Sequence, residues 1–319
     1  MLFRSMKLNC PNPKCSLPTN PSLPSRPIVR NGSFYRKSDS RWIGRFFCKN
    51  CKKYFSRSTS TPAYFQKQRR ITHPLYKLMC SGVSQRRAAR ILRVDPKTVV
   101  RRFRFLAKQK RILNDEFLKN QYQNAPLQFV QFDDLETSEH TKCKPLSVAL
   151  AVDPLTRKIL NYQVSQMPAK GLLAHKARKK YGLRPDQRGS GWKQLMKALK
   201  PYVSEEAVWT SDENPHYPKF LRKHYPHSKH IQVKGGRGAI IGQGELKKLR
   251  FDPIFALNHA CAMLRANLNR LFRKTWCTTK TKRGLLDHLA LYVYFHNSVL
   301  TLKSAGLGGS FRRCSDHQY

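Results

Sequence analysis

Carboxylates are scarce in this chain: 18 Asp and Glu stand against 62 Lys and Arg, a net charge of +44 over 319 residues. Each acid can neutralise only a neighbour or two, so most of the cationic side chains must lie on a surface that repels itself. A fold of this kind calls for a polyanionic partner, and nucleic acid is the expected one. The same balance argues against an acidic small-metabolite enzyme. A core is still affordable in composition, since 40% of residues are hydrophobic and 11% aromatic, which argues against a disordered chain. No apolar run reaches roughly 18 residues, so no transmembrane helix and no membrane partner are expected. The opening MLFRSMKLNC lacks the apolar stretch of a signal peptide. A cytoplasmic, reducing setting is therefore expected, and an odd count of nine cysteines fits thiols better than disulfides.

The charge is uneven. Residues 1–114 hold 28 Lys and Arg but only two acids, Asp39 and Asp95, while nearly all carboxylates fall in the remainder. That split predicts an N-terminal binding module joined to a domain that needs acids. Pro-, Ser- and Asn-rich sequence over 11–30 reads as an irregular loop, and a second seam lies near Asn124-Ala125-Pro126. The expected organisation is a cysteine-bearing domain over 1–60, a helical domain over 61–124, an α/β domain over 125–300 and a disordered tail over 301–319.

Four cysteines are paired by spacing: Cys10 with Cys15, and Cys48 with Cys51. Two short Cys pairs can each form a tight turn and together present four thiolates tetrahedrally to Zn²⁺. Aromatic residues flank the second pair in Arg45-Phe46-Phe47-Cys48-Lys49-Asn50-Cys51-Lys52-Lys53-Tyr54-Phe55, as in a zinc-ribbon hairpin. So small a segment has little core of its own, and a structural metal would supply its folding energy. The other five, Cys80, Cys143, Cys261, Cys277 and Cys314, stand singly and read as small buried hydrophobes or idle thiols.

Residues 75–106 carry two helix signals. Ser84 can N-cap a short helix with Ala88, Ile91 and Leu92 on one face. After a turn at Arg93-Val94, Asp95-Pro96 restarts a helix with an N-cap and a proline at its first position. Val99, Phe103 and Leu106 then face inward, leaving Lys97, Thr98, Arg101, Arg102 and Arg104 on or near the solvent side. A basic second helix across a tight turn is how a helix-turn-helix enters the DNA major groove, so these five are the candidate DNA contacts.

From residue 127 the elements follow an order: strands at Leu127–Asp133, Pro145–Val152 and Lys158–Val164; basic helical sequence to about 203; a strand at Ala207–Ser211; a helix near Pro218–His224; a short strand at His230–Lys234; and helices at Ile254–Trp276 and Gly284–Asn297. Three antiparallel strands followed by alternating helices and strands is the order of a ribonuclease-H-like mixed sheet with flanking helices. Asp133 and Asp134 are placed at the end of the first strand, and Asp212 at the end of the fourth. Carboxylates at adjacent strand ends can hold Mg²⁺ or Mn²⁺, and two such ions can support phosphodiester transfer. Strand-end caps or ordinary ion pairs are the competing reading.

Taken together, the cysteine pairs, the helix-turn-helix, Phe132-Asp133-Asp134 and Trp209-Thr210-Ser211-Asp212 resemble bacterial insertion-sequence transposases of the DDE superfamily. The segment from Leu257 to Cys277 is similar to the basic helix that follows the third catalytic position in the small zinc-ribbon-bearing group. The resemblance spans roughly residues 10 to 297. It implies a DNA transposase that binds the terminal inverted repeats of its element, cleaves strands with Mg²⁺ or Mn²⁺, joins them to target DNA and works as a homo-oligomer on DNA in the bacterial cytoplasm, at the nucleoid. Asp133 would be the first catalytic aspartate and Asp212 the second. The usual third glutamate falls on Asn258, which can ligate through its carbonyl but cannot act as a base, and Glu245 in Ile241-Gly242-Gln243-Gly244-Glu245 is the alternative. Asp252 and Asp287 look less well placed.

Two other classes stand beside this one: a non-catalytic DNA-binding regulator or transposase relic, and an RNA-binding protein, which a helix-turn-helix suits less well than B-form DNA. Gly235-Gly236-Arg237-Gly238 and Gly242-Gln243-Gly244 read as a flexible loop near the site or as a plain turn. His216, His224, His227 and His230 fit no tight metal spacing. The basic stretch from Arg270 to Arg283 reads as a phosphate-binding face.

Overall fold

The computed structural model describes residues 8–15, 27–38, 40–234, 252–272 and 275–300. Glu245, the two glycine-rich segments, Arg273, Lys274, Cys314 and the tail over 301–319 lie outside the described residues. The chain divides into two compact units, one up to Pro74 and one from Leu75 onward.

The first unit is a three-stranded antiparallel sheet, β1 (Ile28–Arg36), β2 (Arg41–Cys48) and β3 (Tyr54–Ser56), in the order β1-β2-β3. Aromatic residues meet across the strands: Tyr35 with Trp42, Phe46 with Phe55 and Phe47 with Tyr54, with ring centroids 4.8–5.9 Å apart. Such cross-strand pairs are the unit of sheet stabilisation.

In the second unit, α1 (Thr72–Met79), α2 (Gln85–Ile91) and α3 (Pro96–Tyr122) come first. The start signals operate as read: the Ser84 hydroxyl accepts from Arg87 N–H (3.3 Å), Asp95 Oδ1 accepts from Lys97 N–H (2.7 Å), and proline opens α3. Two side chains depart from expectation. Ile91 is 55% exposed, and Ala89 takes the inward place beside Ala88. Arg102 is buried, because it lies one turn beyond Val99 on the edge of the inward stripe, with its guanidinium over the Phe105 ring at 5.7 Å.

The remaining elements form a mixed α/β layer structure. A five-stranded mixed sheet contains β4 (Leu127–Ser138), β5 (Pro145–Val152), β6 (Ile159–Gln166), β7 (Val203–Ser211) and β8 (Lys229–Gln232) in the order β6-β5-β4-β7-β8. β4, β5 and β6 pair antiparallel, and β7 and β8 run parallel to β4. Helices α4 (Leu173–Tyr181), α5 (Arg188–Leu199), α6 (Tyr217–His224), α7 (Phe255–Asn267) and α8 (Lys282–Phe295) complete it. One core cluster joins Leu135, Val148 and Leu150 to α7, α8 and the first half of α3; another joins Val130, Phe132 and Ala149 to α5, α6 and the last turns of α3. At about 1.5 Å per residue, α3 is long enough to serve both. The seam expected at Asn124 therefore lies inside the second unit.

Two boundaries move. β4 continues five residues past Asp133, with Glu136 still paired to Ser147, so the two aspartates sit within the strand rather than at its end. The helix expected over 254–276 stops at Asn267, whose side-chain amide donates to Met263 O (2.9 Å) and to the Tyr292 hydroxyl (3.1 Å). A side chain that bonds its own helix backbone competes with the next turn. Among the described residues no helix is long and apolar enough to cross a membrane.

Candidate metal-binding and carboxylate sites

In the first unit the four paired cysteines converge. Cys48 ends β2, Cys51 lies in the turn before β3, and Cys10 and Cys15 come from the preceding loop. Cys48 N–H donates to Lys53 O (3.0 Å) and Lys52 N–H to Cys48 O (2.9 Å), while Lys52 takes the left-handed conformation that closes the turn. The four sulfurs lie within 4.8 Å of one another, with Cys10 Sγ 3.5 Å from Cys51 Sγ and Cys15 Sγ 3.8 Å from Cys48 Sγ. A tetrahedron of thiolates about 2.3 Å from Zn²⁺ has sulfurs roughly 3.8 Å apart, so the cluster has the dimensions to bind such a metal. Asn12 holds the Cys51 thiol down to about 6, whereas burial, with added contacts from the other thiols, pushes Cys10 up to about 12.

In the second unit the strand pleat sends Asp133 and Asp134 to opposite faces. Asp134 faces α5. Its Oδ2 accepts from Trp192 Nε1 (3.1 Å) and its Oδ1 from the Ser147 hydroxyl, and burial raises its carboxyl. With both oxygens engaged, Asp134 is an anchor for the strand. The close approach of α5 depends on Gly191, where a Cβ would stand 2.1 Å from Ser165 Oγ; that approach seats Trp192 against Phe132 and Asp134.

Asp133 shares its face with Gln131. The Gln131 side chain clamps the start of α7, donating to Pro253 O (2.9 Å) and accepting from Leu257 N–H (3.0 Å). Asp133 Oδ1 accepts from the Tyr217 hydroxyl (2.8 Å) and from Asp134 N–H (2.6 Å). Asp212 follows the last residue of β7, the parallel neighbour of β4, and its Oδ1 accepts from Asn214 N–H (3.2 Å). Burial first, and the nearby Asp212 charge second, push the Asp133 carboxyl up to about 6. The Tyr217 hydroxyl is pushed up by burial and by the surrounding carboxylates, and so stays a donor.

A cleft of ≈ 560 Å³ opens beside Asp212, lined also by Lys170, Arg188, Glu213, Asn214 and His216. Lys170 Nζ pairs with Glu136 (2.6 Å), and Arg188 pairs with Asp186 (2.6 Å) while its charge also reaches Asp134. Both cationic and anionic side chains thus line the opening. His230 bonds the Ser211 hydroxyl (2.9 Å), a structural use of one member of the histidine group.

The structure brings Asp133 and Asp212 together. Asn258, exposed on the first turn of α7, donates its amide to Asp252 Oδ2 (2.8 Å). Asp252 precedes Pro253, whose carbonyl accepts from the Gln131 amide. Its Oδ1 accepts from Ile254 N–H (3.1 Å), so both Asp252 oxygens are engaged by the residues that lead into α7. Of the expected DNA contacts, Lys97, Arg101 and Arg104 are exposed, Thr98 is half-buried and Arg102 is buried. Among the single cysteines, Cys80, Cys143 and Cys261 are buried and Cys277 is exposed. Compared with known proteins, the chain matches no protein-family model and no curated protein.

Two outcomes follow from these sites. Metal analysis of the purified protein is expected to find about one zinc per chain, lost in Cys48→Ser; a zinc-free, folded wild type would contradict the four-sulfur reading. Because the Asp133 carboxyl is raised in the fold, its protonated form is favoured there, and stability falls as pH rises through about 6. In buffer free of Mg²⁺ and Mn²⁺, Asp133→Asn is expected to melt roughly 2–4 °C above wild type at about pH 7.5, with the difference fading toward pH 4. A variant melting below wild type at pH 7.5 would remove the electrostatic argument.

Proposed function

We propose that this protein is a DNA transposase of the DDE superfamily, with a zinc ribbon, a helix-turn-helix and a ribonuclease-H-like catalytic domain. The observation that carries the reading is the pair Asp133 and Asp212 on the two parallel central strands, close enough for one charge to raise the other's carboxyl. Three antiparallel strands extended on the other side by two parallel ones support the ribonuclease-H-like assignment. The cysteine-bearing three-stranded sheet supports the zinc ribbon, and the capped α2–α3 pair supports the helix-turn-helix.

Two neighbouring carboxylates are hard oxygen donors of the kind Mg²⁺ and Mn²⁺ prefer, and their mutual repulsion gives a cation something to relieve. When bound there, such ions activate a water or 3′-hydroxyl and stabilise the leaving oxygen of a phosphodiester. In this chain Asp133 and Asp212 would ligate. Tyr217 would orient Asp133 by donating to one oxygen, leaving the other available. Asp134 and Trp192 would keep the strand in place, and Lys170 and Arg188 would attract the substrate's phosphates toward the cleft. Asn258 or Glu245 would complete the site at the third position, as the resemblance implies.

The N-terminal elements would bind the terminal inverted repeats through phosphate contacts and the exposed Lys97, Arg101 and Arg104, as a homo-oligomer that pairs two ends in the bacterial cytoplasm. The second reading is a DNA-binding regulator without catalysis, favoured by the asparagine at position 258. Strand transfer on the DNA flanking the gene separates the two. Asp133→Asn and Asp212→Asn are each expected to lose at least roughly a thousandfold in strand transfer, a loss near 4 kcal/mol of barrier lowering, with end binding retained. Wild-type protein that binds the ends but never cuts them with either metal ion would favour the regulator.

A further inference from the structure

Between β6 and α5 the chain leaves the sheet and comes back to the point it left, where Gln187 N–H donates to Gln166 O (3.0 Å). Within this excursion α4 buries a single residue, Ala177, and no residue of α4 belongs to either core cluster. The helix therefore contributes little to the stability of the fold. Four of its seven exposed side chains are cationic: Lys176, Arg178, Lys179 and Lys180. No acid occurs anywhere from residue 154 to residue 185, and among the described residues none of these four meets a carboxylate. Lys176 stands three and four residues from Lys179 and Lys180, spacings at which like charges destabilise a helix.

The feet of the excursion are treated differently. Lys170 pairs with Glu136 (2.6 Å) and Arg184 with Glu139 (3.3 Å), and both acids lie at the far end of β4 and just beyond it. Lys170 also lines the cleft with Asp212. Ion pairs thus pin the two feet of the excursion, while the helix between them carries a concentrated positive charge that suits an outside polyanion. At about 1.5 Å per residue α4 is roughly 13 Å long, the length of about four base pairs at 3.4 Å each.

We propose that residues 168–186 form a finger that grips duplex DNA next to the cleft, with Lys176, Arg178, Lys179 and Lys180 on the phosphates. The finger rests on the transposase reading for its substrate, but it acts in binding and not in chemistry. Each phosphate neutralised releases condensed counterions and steepens the salt dependence of binding by about 0.9.

The test is the variant K176Q/R178Q/K179Q/K180Q in the full chain, compared with wild type for binding a 40-base-pair duplex across a salt series. Because α4 buries only Ala177, an unchanged melting temperature is expected. The slope of log K against log salt should become shallower by up to about 3.6, with binding weakened at least tenfold near 0.1 M salt. An unchanged slope in a folded variant overturns the finger. So does a wild-type finger whose loss weakens binding to duplex RNA or to anionic phosphatidylserine vesicles but not to duplex DNA. Neither outcome depends on cleavage: a protein that never cuts DNA can still pass, and one that cuts normally can still fail.

Discussion

Two half-buried carboxylates, Asp133 in β4 and Asp212 just after β7, repel each other, and a large part of the second unit serves to hold them in place. Asp133 is fixed from one side by the Tyr217 hydroxyl and from its own strand by Asp134 N–H. Asp134, on the other face, is tied to Trp192 and Ser147, and Trp192 can reach it only because Gly191 lets α5 lie against β6. Gln131 ties the start of α7 to the same strand. Stored repulsion of this sort is released by a proton or a cation, which is why perturbed carboxyls of this kind cluster at functional sites.

The distribution of charge follows from that arrangement. In a chain with 18 acids, few can be spent on balancing surface lysines. Several instead lie at or near the cleft: Glu136 holds Lys170, Asp186 holds Arg188, Asp212 lines the opening, and Asp133 feels the Asp212 charge. The exposed Lys97, Arg101 and Arg104 of α3 and the cations of α4, none of which pairs with a carboxylate among the described residues, are the complement of a phosphate backbone. The cysteine cluster answers a different need, because few apolar side chains are buried among the described residues of the first unit and four sulfurs at tetrahedral distances can replace a core.

Much of this was legible in the sequence where a local rule decides the outcome. Continuous apolar runs such as Pro145–Val152 became strands, Ser84 and Asp95-Pro96 started helices, and the paired cysteines met in space. Errors came where a tertiary contact overrides the local rule. Consecutive aspartates looked like the end of a strand, but Leu135 returns to the core and Glu136 stays paired with Ser147. The basic run after Asn267 looked helical until Asn267 turned its amide onto Met263 and Tyr292. Arg102 looked like a solvent-facing cation, and its stem proved part of the buried stripe. The link between Asn258 and Asp252 joins two side chains by packing around Gln131, which no spacing rule reports.

The central claim is that Asp133 and Asp212 form one cation-binding pair, and Mn²⁺ binding measures it without any DNA. With the four cysteines loaded with zinc, calorimetric titration of wild-type protein with Mn²⁺ should show saturable binding that weakens below about pH 6, as the proton competes for Asp133, and that disappears in D133N/D212N. Saturable binding of equal strength in the double variant, or none in the wild type at neutral pH, would contradict it.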